Sequence, residues 1–171
     1  EETRGNQIGY SIDEFLEFFH QALTIASIDY LAIASWGHDV FRNKIRAKGP
    51  HQGELVNAVI YKALKGKLAV IASGGINSQE KALEALEHAD LVGLSTPFIT
   101  DPEFAEKIRE GKSEEIQLSI KPENLEELAI PQAAFKDIVP LMDFGESLHK
   151  DARDFFRSLE VNYKGRTVDG N

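Results

Sequence analysis

The stretch Lys67-Leu-Ala-Val-Ile-Ala-Ser73, followed at once by Gly74-Gly75-Ile76-Asn77-Ser78, decides how this chain is read. Its apolar run is short and nearly continuous, the pattern of a strand covered on both faces in a parallel sheet. Gly74 and Gly75 close the run, and Ser78 is placed to open a helix with Ala82, Leu83, Ala85 and Leu86 on its inner face. Upstream, Asp29-Tyr-Leu-Ala-Ile-Ala-Ser35 repeats the strand pattern and ends at Trp36-Gly37. Downstream, Asp90-Leu-Val-Gly-Leu94 is a shorter third copy.

Helical periodicity fills the intervals. Ser11 stands three residues before Glu14, the spacing of a capping box, and Ile12, Phe15, Leu16, Phe19, Leu23 and Ala26 follow at helical steps. A second helix is expected over Leu55–Leu64, and Asp101-Pro102 suits the start of a fourth. From residue 11 to 111 the order is α, β, α, β, α, β, α, which predicts an α/β protein with a parallel sheet. Beyond Gly111 the rhythm stops. Helical segments are expected around Glu123–Leu128 and Leu148–Val161, joined by connections at Pro122, Pro131 and Pro140, as a C-terminal extension packed on the outside.

Composition bounds the function. The 171 residues, 42% hydrophobic and 27% charged, suit one domain or a piece of a larger one. With 19 Lys and Arg against 28 Asp and Glu, the net charge of −9 argues against a general nucleic-acid binder, which needs positive charge to displace phosphate counterions. Cysteine is absent, so neither a disulfide framework nor a thiolate metal site is possible. No apolar run reaches the ~18 residues of a membrane span and no charged-then-apolar leader opens the sequence. The expectation is a soluble, cytoplasmic protein.

The chemistry is expected in two loops that follow consecutive strands, Ser73-Gly74-Gly75-Ile76-Asn77 and Ser95-Thr96-Pro97. Paired glycines let main-chain N–H groups approach an anion closely, and a helix opening at Ser78 turns its positive end toward the same place. Ser95 and Thr96 add hydroxyls. In α/β barrels the loops after the last two strands often form a phosphate site.

These residues resemble a known family. Ala69-Val-Ile-Ala-Ser-Gly-Gly-Ile76, Ala82-Leu-Glu-Ala-Leu86, Ala89-Asp-Leu-Val-Gly-Leu94, Pro97-Phe-Ile-Thr-Asp-Pro102 and Gly111 are similar to the end of an old yellow enzyme barrel. The likeness reaches back through Gly9-Tyr10-Ser11 and covers about residues 8–112. The resemblance implies the last three βα units of a TIM (β/α)₈ barrel over residues 1–112, followed by a helical extension over 113–171. It also implies FMN as cofactor, NADH or NADPH as reductant, and hydride transfer to an activated alkene or similar small-molecule substrate. Gly74 and Gly75 would lie at the FMN phosphate, Ser95 and Thr96 in the second phosphate loop, with Ser73 adjoining; the resemblance places no catalytic residue here.

The family usually carries Gly-Arg where this chain has Ser95-Thr96. A threonine hydroxyl cannot replace a bidentate, charge-assisted pair, so either FMN binds more weakly, another cation such as Lys67 or Arg42 compensates, or the site has lost its flavin. A full barrel needs ~250 residues. Three strands therefore read as the C-terminal part of an oxidoreductase, expected to be inactive alone and to associate with the remaining barrel portion or with copies of itself. The same loop pair also serves phosphate-binding barrels of other chemistry, such as sugar-phosphate lyases or isomerases, and a non-catalytic packing or oligomerisation module is a further alternative.

The remaining polar residues read more plainly. No two of His20, His38, His51, His88 and His149 have the spacing of a helical metal site. His38 and Trp36 follow the first strand and are candidates for cavity lining, with simple loop packing as the alternative. Arg42-Asn-Lys-Ile-Arg46 with Lys48 reads as a solvated loop, attraction for nicotinamide-cofactor phosphates being the functional alternative. Asp29, Asp90 and Asp101 are expected to be structural. Ser35 and Ser73 lack a His/Asp partner at recognisable spacing, so they are expected to hydrogen-bond near a cofactor instead of acting as nucleophiles.

Overall fold

Ser11 starts the first helix as the spacing predicts. In the computed structural model, which describes residues 10–34, 39–118, 120, 122–131 and 134, its hydroxyl accepts the Glu14 amide at 3.2 Å. The Glu14 carboxylate in turn accepts the Ser11 amide at 2.7 Å, completing the capping box. Helix α1 runs Ile12–Ile25, strand β1 Tyr30–Ile33, and a 3₁₀ turn covers Val40–Arg42. Then come α2, Val56–Leu64, β2, Ala69–Ser73, α3, Gln79–Leu86, and β3, Leu91–Gly93. Two short helices follow, α4 over Thr96–Thr100 and α5 over Phe104–Arg109. The chain divides into two units, Glu1–Leu94 and Ser95–Asn171.

In the first unit the three strands form one parallel sheet in the order β1-β2-β3. Leu31 pairs with Val70, and Ile33 with Ala72, which pairs in turn with Val92. These residues share one face of the pleat, and that face is where the core sits. Ile12, Val59, Ile60, Leu64, Leu68 and Val70 pack together over one end of it, with Phe15, Leu16 and Phe19 of α1 against them. Phe41, Ala72, Ile76, Ala85 and Ala89 form a second cluster over the other. Full burial of one such Leu or Ile is worth about 1.5–3 kcal/mol.

The opposite face differs from the expectation that both sides of each strand are covered. Tyr30 and Leu91 are more than half exposed, and Ala32 lies open beside them. Helix α3 departs from its pattern as well: Ala82 and Ala85 face the core, but Leu83 and Leu86 point outward. The reason is angular, since positions 82, 85 and 89 make one stripe of a 3.6-residue helix and 83 and 86 the next.

Asp90 is structural, as expected. Its carboxylate accepts the Val70 amide at 2.8 Å and its own amide donates to the Val70 carbonyl at 2.8 Å, clamping the start of β3 to β2. His51 ties the β1–α2 connection to α1 through Glu54 at 2.8 Å and Asp13 at 3.3 Å. Glu54 chiefly, with Asp13, raises the His51 pKa above its ordinary 6.5. A raised folded pKa contributes stability fully below the ordinary value and loses it as pH climbs through the raised one. The urea midpoint is therefore expected to fall as pH rises above the ordinary 6.5, and His51→Gln to flatten that decline. Parallel wild-type and variant curves would count against the clamp.

In the second unit, Asp101 follows α4 and precedes α5; its carboxylate accepts the Glu103 amide, although Phe104, not Pro102, begins the helix. The expected helix at Glu123–Leu128 is a 3₁₀ turn over Pro122–Asn124 followed by turn. The helix expected at Leu148–Val161 lies outside the described residues, as do Ser35, Trp36, His38 and His149.

Candidate functional site

Gly74 and Gly75 leave the central strand β2 with φ of +94° and +82°, a left-handed path that a side chain would strain. A second constraint comes from above. A Cβ on Gly74 would collide with Val40 Cγ2, and one on Gly75 would lie 2.5 Å from the Asp39 nitrogen and 2.6 Å from its Cα. The segment leading out of β1 thus rests directly on the glycine turn. Asp39 is itself left-handed, at φ +46° and ψ +45°.

The contact brings charge with it. Asp39 Oδ1 accepts from Lys81 Nζ at 2.7 Å, and Lys81 also donates to the Gly75 carbonyl at 3.3 Å. Asp39 Oδ2 accepts from Arg42 Nη1 at 2.9 Å. Arg42 uses Nε and Nη2 on the two oxygens of Glu84, at 2.7 and 2.5 Å. Glu84 first, then Asp39, raises the already high pKa of Arg42, so its charge is fixed. Glu84 is in turn held below its ordinary carboxylate range by Arg42. Ser78 caps α3 by accepting the Lys81 amide at 3.3 Å, which fixes the root of the Lys81 side chain beside the turn.

The space that a Cβ would occupy at the glycine turn is filled by Val40 and Asp39, and two cations, Lys81 and Arg42, coordinate an oxyanion there, the Asp39 carboxylate. Of the two compensating cations expected, Arg42 belongs to the site and Lys67 does not. Lys67 precedes β2 and Gly74 follows it, so a strand of five residues, ~17 Å, lies between them. Lys67 instead meets His20 at 3.0 Å. Lys81 and Asp39 escape a reading of the sequence, being 42 positions apart with no spacing signal to join them.

Ser73 is placed differently from the expectation of a cofactor contact. Its hydroxyl donates to the Ile33 carbonyl at 2.6 Å, stapling β2 to β1, and its proton is not available to an anion there. Ser95 and Thr96 open the second unit and belong to the start of α4 instead of a loop. Ser95 is exposed and its carbonyl accepts the Phe98 amide at 3.1 Å, while the Thr96 carbonyl is met by the Thr100 hydroxyl at 3.4 Å. Among the described residues no group of three or more His, Asp or Glu side chains is placed to hold a metal ion. Nor is any described helix long and apolar enough to cross a membrane.

No family model matches the chain. It is 62% identical over 164 residues to an uncharacterized oxidoreductase of Streptococcus pyogenes serotype M5, a match covering 96% of this chain and 41% of that protein. It is 28% identical over 119 residues to a probable NADH-dependent flavin oxidoreductase of Bacillus subtilis, covering 69% of this chain and 31% of that protein. The chain is thus similar to proteins named as oxidoreductases and spans about two fifths or less of their lengths.

Proposed function

We propose that the chain contributes the cofactor-phosphate anchor of an FMN-dependent NAD(P)H oxidoreductase of the old yellow enzyme type. The observation that carries the reading is the left-handed Gly74–Gly75 turn with Lys81 and Arg42 gathered at its rim. The name of the Bacillus subtilis relative supports the flavin and the NADH. In this reading Gly74 and Gly75 offer backbone to the phosphate, and Lys81 and Arg42, which hold Asp39 at the turn, are the neighbouring cations. FMN, when bound, supplies hydride transfer from a reduced nicotinamide to an electron-poor acceptor. The protein's part is to hold and orient its dianionic end.

The parallel sheet belongs, on this reading, to a (β/α)₈ barrel. The open face carrying Tyr30, Ala32 and Leu91 then becomes interior, and further strands or a second copy cover the free edges. The substrate is a small molecule with an activated double bond; neither nucleic acid nor membrane takes part, and the site of action is the cytoplasm.

Titrating the protein with FMN and with riboflavin, followed by flavin fluorescence, tests the anchor. FMN is expected to bind at least about tenfold more tightly than riboflavin, because only FMN brings the phosphate. Lys81→Gln is expected to remove most of that difference while leaving riboflavin unchanged. Equal affinity for the two flavins, or none for either, would overturn the proposal.

A further inference from the structure

We infer that the connection from β1 to α2 carries a second anion site, a cleft for a ligand bearing at least two separated phosphate charges. The cleft, about 520 Å³, is lined by Arg42, Lys44 and Arg46 on one side and by Gln52 and Gly53 on the other. That volume is in the range of small-molecule sites.

The backbone here is built, not slack. Lys44 bridges antiparallel to Leu55, flanked by hydrogen bonds from the Ile45 amide to the Glu54 carbonyl at 2.9 Å and from the Val56 amide to the Asn43 carbonyl at 3.0 Å. The Gly53 amide closes the pair by donating to the Ile45 carbonyl at 2.8 Å. In the extended stretch, Ile45 is buried, which turns its neighbours Lys44 and Arg46 together to the open side. Arg42, at the end of the preceding 3₁₀ turn, reaches the same cleft. The backbone of this basic run is therefore held in place, while Arg42, Lys44 and Arg46 are exposed to solvent as the sequence reading expects.

Charge pairing separates the three. Arg42 is engaged by Asp39 and Glu84. Lys44 and Arg46 have no carboxylate at ion-pair distance among the described residues, in a chain where acids outnumber bases 28 to 19. Two unneutralised cations at alternate positions stand ~7 Å apart. One carboxylate engages one of them, whereas two phosphate groups a few ångströms apart engage both. Gly53 has a φ of +88°, and no atom lies within 4 Å of the place a methyl would take there, so the other wall is open to a bulky ligand. The cleft also adjoins the glycine turn, since Arg42 lines it and holds Asp39 against Gly75.

Two sources supply this chemistry, a nicotinamide dinucleotide and free pyrophosphate. The first rests on the oxidoreductase reading above; the cleft's preference for paired phosphates does not. Calorimetric titration of the whole chain with NADPH, NADH and inorganic pyrophosphate, each without flavin, distinguishes them. Binding is expected to weaken by about tenfold or more in Lys44→Gln/Arg46→Gln and by less than about twofold in the charge-matched control Lys62→Gln/Lys65→Gln. Tighter binding of either dinucleotide than of pyrophosphate assigns the nucleotide source, and equal binding assigns the free anion. No binding of any probe, or equal weakening in both double variants, overturns the inference. The FMN titration reports separately, so loss of one result leaves the other standing.

Discussion

Replacing Gly75 with alanine is expected to destabilise the first unit by about 3 kcal/mol or more, and to lower the thermal midpoint by roughly 6–12 °C. Two costs combine. The left-handed φ of +82° alone costs an L-residue about 1–2 kcal/mol. The added methyl then meets the Asp39 nitrogen and Cα at 2.5 and 2.6 Å, and these are backbone atoms that cannot rotate away. Gly66 supplies the control: its φ is +80°, yet nothing lies within 4 Å of the corresponding methyl position. Gly66→Ala is thus expected to show the strain without the contact, about 1–2 kcal/mol. Asp39→Gly relieves the left-handed conformation of residue 39 but leaves its backbone in place, so it is not expected to rescue Gly75→Ala. Urea denaturation of the three variants decides the matter. If Gly75→Ala costs no more than Gly66→Ala, the β1–α2 segment does not rest on the turn, and the phosphate constellation built on that contact fails with it.

The strands, the helix starts and the glycine turn are legible in the sequence because each is set by neighbours within a few positions. Ser11 and Glu14 are one helical turn apart, and their reciprocal bonds need nothing from elsewhere. The strand from Ala69 to Ser73 follows in the same way from a short apolar run ended by glycines. What periodicity misses is tertiary. Asp39 and Lys81 meet only because parallel strands deliver both following loops to the same end of the sheet. Strand direction alone separates Arg42 from Lys67: one follows β1 and the other precedes β2, so only Arg42 stands at the end where the glycines lie. The apolar run of β1 overstates its burial, because such a run shows that a face wants cover, not that this chain supplies it. The outward Leu83 and Leu86 make the same point on α3.

Asp101→Ala is expected to cost about 3–5 kcal/mol, the range for removing one partner of a buried ion pair. Asp101 is 3% exposed and accepts from Lys107 Nζ at 2.7 Å, the Gln117 amide at 2.8 Å and the Glu103 amide at 3.1 Å. Burial alone would push its pKa up; the Lys107 ammonium and the two amides outweigh it and hold the carboxyl below its ordinary 3.8. Asp101 in turn raises the pKa of Lys107. The signs fix the window. The carboxylate contributes fully above its ordinary value and loses that contribution only as pH falls through the depressed folded value; Lys107 does the converse above 10.5. The pair therefore spans neutral pH undiminished, and the Asp101→Ala deficit is expected to be flat from about pH 5 to about pH 9. Asp101→Asn keeps an oxygen for the amides but not the charge, so it is expected to lose less, about 1.5–3 kcal/mol. Lys107→Met tests the pairing directly: in a double-mutant cycle with Asp101→Asn, coupling of about 1–3 kcal/mol is expected. Coupling near zero would mean that the amides alone hold the carboxylate, and that α5 is anchored by backbone donors without the ammonium.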